Sequence, residues 1–218
     1  MAATAREQMI AAAEHLAVER GFGAMSLREV QATSGQRNKS AAQYHFGSRE
    51  GLIEAVVVAR MGPVNERRLA ALAALDAQPD PPTRRQLVEA FVEPLAAQTL
   101  GAAPSHWARF VFQGLADPAV SAVVQRCFEG HSFREVHERL RASLDHLPAP
   151  LRTRRVDHAV ALVVLSLAGA EGNRAAGRRD ALPVAAHVAD LVDTALAVLD
   201  APASEVTLAA LPATPAHR

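Results

Sequence analysis

Between Ser26 and Arg49 the chain concentrates side chains that bind phosphates and read base edges: Ser26, Arg28, Arg37, Lys39, Ser40, Gln43, Tyr44, His45 and Arg49. The only acid among them is Glu29, so this stretch carries a local charge of +3 in a chain whose 23 Lys+Arg and 23 Asp+Glu cancel. Basic and hydroxyl side chains hold a duplex by its phosphates, whereas Gln can bond an adenine edge through two atoms and Lys or Arg a guanine edge. A small basic patch on a neutral protein is the footprint of a nucleic-acid contact surface; a merely solvated face has the same composition, so the spacing must decide. The neutral total excludes a histone-like or ribosomal role, which needs a positive field over the whole chain.

Other chemistry finds less support. Cys127 and His131 stand four residues apart on a helical pattern, as nucleophile and base would have to, but no third residue orients them and no oxyanion device is visible. His131, His137 and Glu138 could suggest a metal, yet the six-residue step turns the two imidazoles about 240° apart around a helix. There is no Gly-rich phosphate loop and no H-E-x-x-H helix. The expectation is therefore no catalytic residue, no metal and no cofactor. One cysteine cannot form an internal disulfide, the longest apolar run (159–170) is shorter than the roughly 20 residues of a spanning helix, and the start lacks a signal-peptide apolar block. A soluble, cytoplasmic protein is expected.

The elements that must present residues 26–49 are helices. Half of the chain is apolar and only 4% aromatic, with Ala and Leu abundant, which predicts an all-α fold. Thr4-Ala-Arg-Glu7 fits a capping box, and Met9, Ile10, Ala13, Leu16 and Ala17 recur at helical spacing up to Gly21, predicting a first helix over 4–20. Ser26-Leu-Arg-Glu29 repeats the capping pattern and opens a short second helix ending near Gly35. Asn38 suits the cap of a third, 39–46, whose buried face is Ala42 and Phe46. Two short helices joined by a tight turn, the second polar outside, read as a helix-turn-helix with 39–46 as recognition helix. Lys39, Ser40, Gln43 and Tyr44 then face a groove, and Ala41 is small enough for close approach.

Ser48 caps a fourth helix over about 49–75, with Gly62-Pro63 as a kink or break, and Gln78-Pro-Asp-Pro-Pro82 reads as a linker. Further helices are predicted at about 83–100, 104–116, 118–146, 150–176 and 183–200. The domain division is a DNA-binding head over 1–48, a helical effector-binding and dimerisation body over 49–200, and a mobile tail over 201–218.

The head resembles the TetR family of bacterial regulators. The residues that carry the resemblance are Ser26-Leu-Arg-Glu-Val30, Ser34-Gly35 and Tyr44-His45-Phe46-Gly-Ser48-Arg49-Glu50-Gly51-Leu52. It covers about 5–60 strongly and the remainder only by helix order and length. Gly35 to Phe46 spans eleven residues, one more than the family's usual spacing, and Gln43 stands where the family commonly has a phosphate-binding Tyr, with Tyr44 one step later. The resemblance implies His45 and Arg49 as phosphate ligands beside Ser26 and Tyr44. It also implies a homodimer formed by the last two long helices as a four-helix bundle, and an effector cavity whose occupation shifts the fourth helix.

One head makes too few contacts for selective binding, so two copies on a palindromic operator are expected. The candidate dimer interface is the stripe Leu162, Val163 and Ser166 with Val188, Leu191, Val192, Ala195 and Leu199, which would otherwise fill the monomer core. The aromatics between His106 and Phe133 could line a pocket for an unidentified small molecule, formed by Trp107, Phe110 and Phe133 with Arg109, Gln113, His131 or Glu171 as polar contacts. The function these readings support is a DNA-binding transcriptional regulator, a repressor released by a small-molecule effector. The alternatives are a ligand-independent regulator or architectural protein whose body only dimerises, and a helical enzyme or carrier with a vestigial head.

Overall fold

The computed structural model describes residues 3–36, 38, 40–101, 105–178 and 182–211. Among them the regular structure is helical: α1 (Ala5–Arg20), a 3-10 turn (Phe22–Ala24), α2 (Leu27–Thr33), α3 (Ala41–Phe46), α4 (Arg49–Asp76), α5 (Arg84–Leu100), α6 (Trp107–Ala116), α7 (Ser121–Phe128), α8 (His131–Ala142), α9 (Ala149–Ala175), α10 (Val184–Asp200) and α11 (Glu205–Ala209).

Local signals start the head helices. Thr4 and Glu7 form the full capping box of α1, the Glu7 amide donating to Thr4 Oγ1 at 3.2 Å and the Thr4 amide to Glu7 Oε2 at 2.8 Å. At α2 only half of the expected box forms: Ser26 Oγ accepts from the Glu29 amide at 3.1 Å, but the Ser26 amide is taken by the Ala24 carbonyl of the preceding turn. Helix α3 starts two residues later than its spacing suggested, because Asn38 Oδ1 accepts from the Ser40 amide (3.1 Å) and hydroxyl (2.9 Å), holding a turn ahead of the helix. Ser48 caps α4 by accepting from the Gly51 amide at 3.0 Å. Gly51 has to be glycine: a Cβ there would lie 2.2 Å from the Phe46 carbonyl oxygen, so α3 and α4 meet backbone to side-chain-free backbone.

Two body expectations are corrected. Helix α4 runs unbroken through Gly62-Pro63 to Asp76. An interior proline costs about 3 kcal/mol, but α4 buries Leu52, Ile53, Val56, Val57, Met61, Val64 and Leu72, several times that amount in apolar transfer energy. The single helix expected over 118–146 is two, α7 and α8, broken at Glu129-Gly130 with Gly130 in extended conformation as the cap of α8. The tail carries the short helix α11.

Helix α4 is the spine of the body, packed on α1 of the head and on α5, α7 and α8, while α9 packs on α6, α5 and α10. The core is continuous from Met9 and Leu16 in the head to Val163 and Leu199 in the body. Among the described residues no helix is long and apolar enough to cross a membrane.

Candidate nucleic-acid interface

Helix α3 is anchored by one face only. Ala41, Ala42 and Phe46 are buried against the head, and the three consecutive residues Gln43, Tyr44 and His45 are exposed. At about 100° per residue, three neighbours cover roughly 200° of the helix surface, so most of α3 points to solvent. Tyr44 is 85% exposed, and among the described residues its aromatic partner is the edge of His45 (centroids 5.3 Å apart). Ala41 is not the groove-facing residue its size suggested; it completes the buried face. Gln43 Nε2 donates to the Gly47 carbonyl at 2.6 Å, closing the end of its own helix, a bond it can exchange for a base edge because both groups are exposed.

The other candidates surround this helix. Ser40 is exposed at its start, and Ser26 caps α2 with its hydroxyl already accepting. Arg37 and Lys39 lie outside the described residues. Arg49, at the start of α4, is half-buried and donates from Nε to the Met25 carbonyl (3.3 Å) and from Nη2 to the Phe22 carbonyl (2.8 Å). It thus ties the 3-10 turn ahead of α2 to α4. Gln36 Nε2 donates to Gln8 Oε1 at 2.7 Å, which pins the α2–α3 turn to α1.

The residues assigned to an effector pocket are dispersed. Trp107 is 1% exposed and Phe110 is fully buried, stacked on each other with centroids 6.1 Å apart, and Phe22 of the head packs on Phe110 at 4.9 Å. These rings are core between head and body. Arg109 Nε pairs with Glu171 Oε2 (3.3 Å), and Gln113 Nε2 donates to the Val18 carbonyl at the end of α1 (3.4 Å). His131 is exposed at the start of α8. Phe133 lines a groove, an open one of about 1170 Å³ between α6, α7, α8 and α9 whose apolar walls include Phe112, Leu115, Phe128 and Leu165. His137 and Asp157 face each other in it, Nε2 to Oδ1, at 3.2 Å. The sequence pattern could have offered Phe112 and Leu115, both partly exposed large apolar residues on α6, but not the α9 wall opposite.

The interface stripe divides too. Val163, Leu191, Val192, Ala195 and Leu199 are buried in this chain's own core, and Leu162, Ser166 and Val188 are half-buried. The outward face of α9 is displaced by about a third of a turn and carries Ala161, Leu165 and Gly169.

What spacing along the chain could not reveal is the joint between head and body. Glu14 of α1, 3% exposed, receives Arg60 of α4 through Nε at 2.5 Å and Nη2 at 2.7 Å. Burial raises the Glu14 carboxyl above its ordinary value, the Arg60 bonds opposing that rise, and the same bonds raise Arg60, which stays charged. Glu171 of α9, equally buried, accepts from the Ala108 and Arg109 amides at 3.2 and 3.0 Å, placing a carboxylate on the N-terminus of α6 where the helix dipole favours it.

Residues 9–56 match the model of the bacterial regulatory proteins, tetR family. No curated protein matches the chain significantly in sequence. Among solved structures, AmtR of Mycobacterium smegmatis is similar with a TM-score of 0.61 and 19% identity, over 93% of this chain and 89% of that one. A protein of Shewanella sp. PV-4 assigned to the tetR family of transcription regulators is similar with a TM-score of 0.58 and 18% identity, over 90% of this chain and 96% of its own.

Proposed function

From a chain that carries a TetR-family DNA-binding head on an all-helical body, we infer a transcription regulator that acts as a repressor: a homodimer on a palindromic operator, released by a small molecule. The head ends at Ser48 and the body, 49–200, dimerises and binds the effector. The observation that carries the reading is the exposure of Gln43, Tyr44 and His45 on a short helix anchored only from behind. Side chains held out this way on a braced helix fit a major groove, Gln43 toward a base edge and Tyr44 and His45 toward phosphates. Ser26, Ser40 and Arg49 add phosphate contacts at the rim, and Arg37 and Lys39 supply the charge.

Two copies meet through α9 and α10. Leu162, Ser166 and Val188 contribute to that contact, and the exposed Gly169 on the same helix lets a second long helix approach closely. The effector is apolar or aromatic and occupies the groove lined by Phe133, Phe112 and Phe128. It releases DNA only insofar as it binds the free state better, about 1.4 kcal/mol of difference for each tenfold.

Selection of bound fragments from a random duplex library tests the reading. Enriched inverted half-sites are expected, and Gln43→Ala should change preference at one position per half-site. Failure to enrich any sequence would overturn it.

A further inference from the structure

We propose that His15, Glu19 and His106 form a binding site for a divalent transition-metal ion of the zinc class, which ties the head helix α1 to the start of the body helix α6. Each residue offers one ligand atom, and these atoms all lie within 4.8 Å of one another. His15 and Glu19 are four residues apart and share one face of α1, while His106 is the residue immediately ahead of α6. The site therefore spans two elements that belong to different parts of the molecule.

The geometry between the imidazoles suits a metal better than a hydrogen bond. His15 Nδ1 faces His106 Nε2 at 3.5 Å, with the rings at 77°. That separation is long for a hydrogen bond. Two nitrogens at ~2.0–2.1 Å from a tetrahedral zinc stand about 3.3–3.4 Å apart, so a closure of a few tenths of an ångström brings both into coordination. Glu19 is exposed and reaches inward by rotating its side chain. The contact it gives up is long, 3.7 Å to Arg109 Nη1, and Arg109 keeps Glu171 as its partner. Two imidazoles and one carboxylate are the donors zinc takes, with a fourth position left to water, whereas magnesium prefers oxygen alone. The nearby Arg109 charge and the exposure of His15 and Glu19 weaken the site, so micromolar affinity is expected.

His15 and His106 are 91 residues apart, which is why spacing along the chain pointed only to the divergent His131, His137 and Glu138. The site itself stands apart from the regulatory reading; its consequence for DNA rests on it. A bound ion holds α1 in its present position against α6 and so biases the set of the head on the body.

The test uses the full chain stripped with EDTA and titrated with Zn²⁺ against a chromophoric chelator. One ion per chain is expected, with affinity reduced at least tenfold in His15→Ala and in His106→Ala, less in Glu19→Gln, and unchanged in His131→Ala and His137→Ala. Zn²⁺ should also raise the wild-type melting temperature and leave that of His106→Ala unmoved. No binding, or binding that survives both imidazole substitutions, overturns the site. With the operator from the library selection, Zn²⁺ should shift wild-type DNA affinity at least threefold and that of His106→Ala not at all. Binding without this shift keeps the site and overturns its tie to the head. An absence of any selected operator counts against the regulatory reading alone.

Discussion

Helix α3 and the joint around Glu14, Arg60, Glu171 and Trp107 are built on opposite plans. On α3 the polar side chains are exposed, and the one that bonds, Gln43, bonds within its own helix. At the joint, the carboxylates of Glu14 and Glu171 are buried and the side-chain bonds there cross between elements: α1 to α4, α9 to α6, α6 to α1. The lesson is a division of labour. A surface that must exchange water for DNA can hold its side chains in no bond it cannot give up, while the frame that aims it has to be insensitive to solvent.

The division predicts that substitutions at the joint act on stability and those on α3 on binding. The largest effect belongs to Trp107→Ala, which removes a fully enclosed indole stacked on Phe110 and should cost ~3–5 kcal/mol in denaturant unfolding. A loss below about 1 kcal/mol would return Trp107 to the lining of a pocket and blur the contrast between the regions. Arg60→Ala comes next. It leaves Glu14 buried without a counter-charge, a cost of ~3–5 kcal/mol for a fully enclosed pair, lowered to about 2–3 kcal/mol here because Arg60 is a third exposed. Tyr44→Ala should leave the unfolding midpoint within about 0.5 kcal/mol of wild type while weakening operator binding about three- to tenfold in an anisotropy titration. A stability loss without a binding loss would place Tyr44 in the frame.

The same contrast explains how much of the fold is legible in the sequence. The head was legible because its signals are local: Thr4 with Glu7, Ser48 with Gly51, and the Ala42–Phe46 spacing all act within one turn of helix. Where a local signal competes with a neighbour, the pattern misplaces an element's boundary, as at Asn38, whose side chain holds a turn and delays α3, and at Gly130, which separates α7 from α8. The body's packing leaves no such local signal. Residue type reports that Trp107 and Phe110 are enclosed but not whether a core or a ligand encloses them, and an apolar stripe such as Leu191–Leu199 looks the same against its own chain as against a second copy. The pairing of Glu14 with Arg60 spans 46 positions and leaves no periodic trace.

The smallest expected effect is a pH dependence of stability at the joint. Burial raises the Glu14 carboxyl above its ordinary value of 4.5, so the folded chain binds that proton more tightly than the unfolded chain does. The sign follows from linkage: the stability contributed by this protonation is fully present below the unfolded value and is lost as pH rises through the raised folded value. Asp76, which Arg139 holds below the usual carboxylate range, acts in the opposite sense, its contribution lost as pH falls. A comparison with Glu14→Gln separates the two, because Asp76 is common to both proteins and cancels. Gln keeps an oxygen for Arg60 but cannot titrate. Urea midpoints measured from about pH 4 to about pH 7 should therefore show wild type losing stability relative to Glu14→Gln as pH rises. A difference that stays flat would mean that the two Arg60 bonds offset the burial of the carboxylate completely.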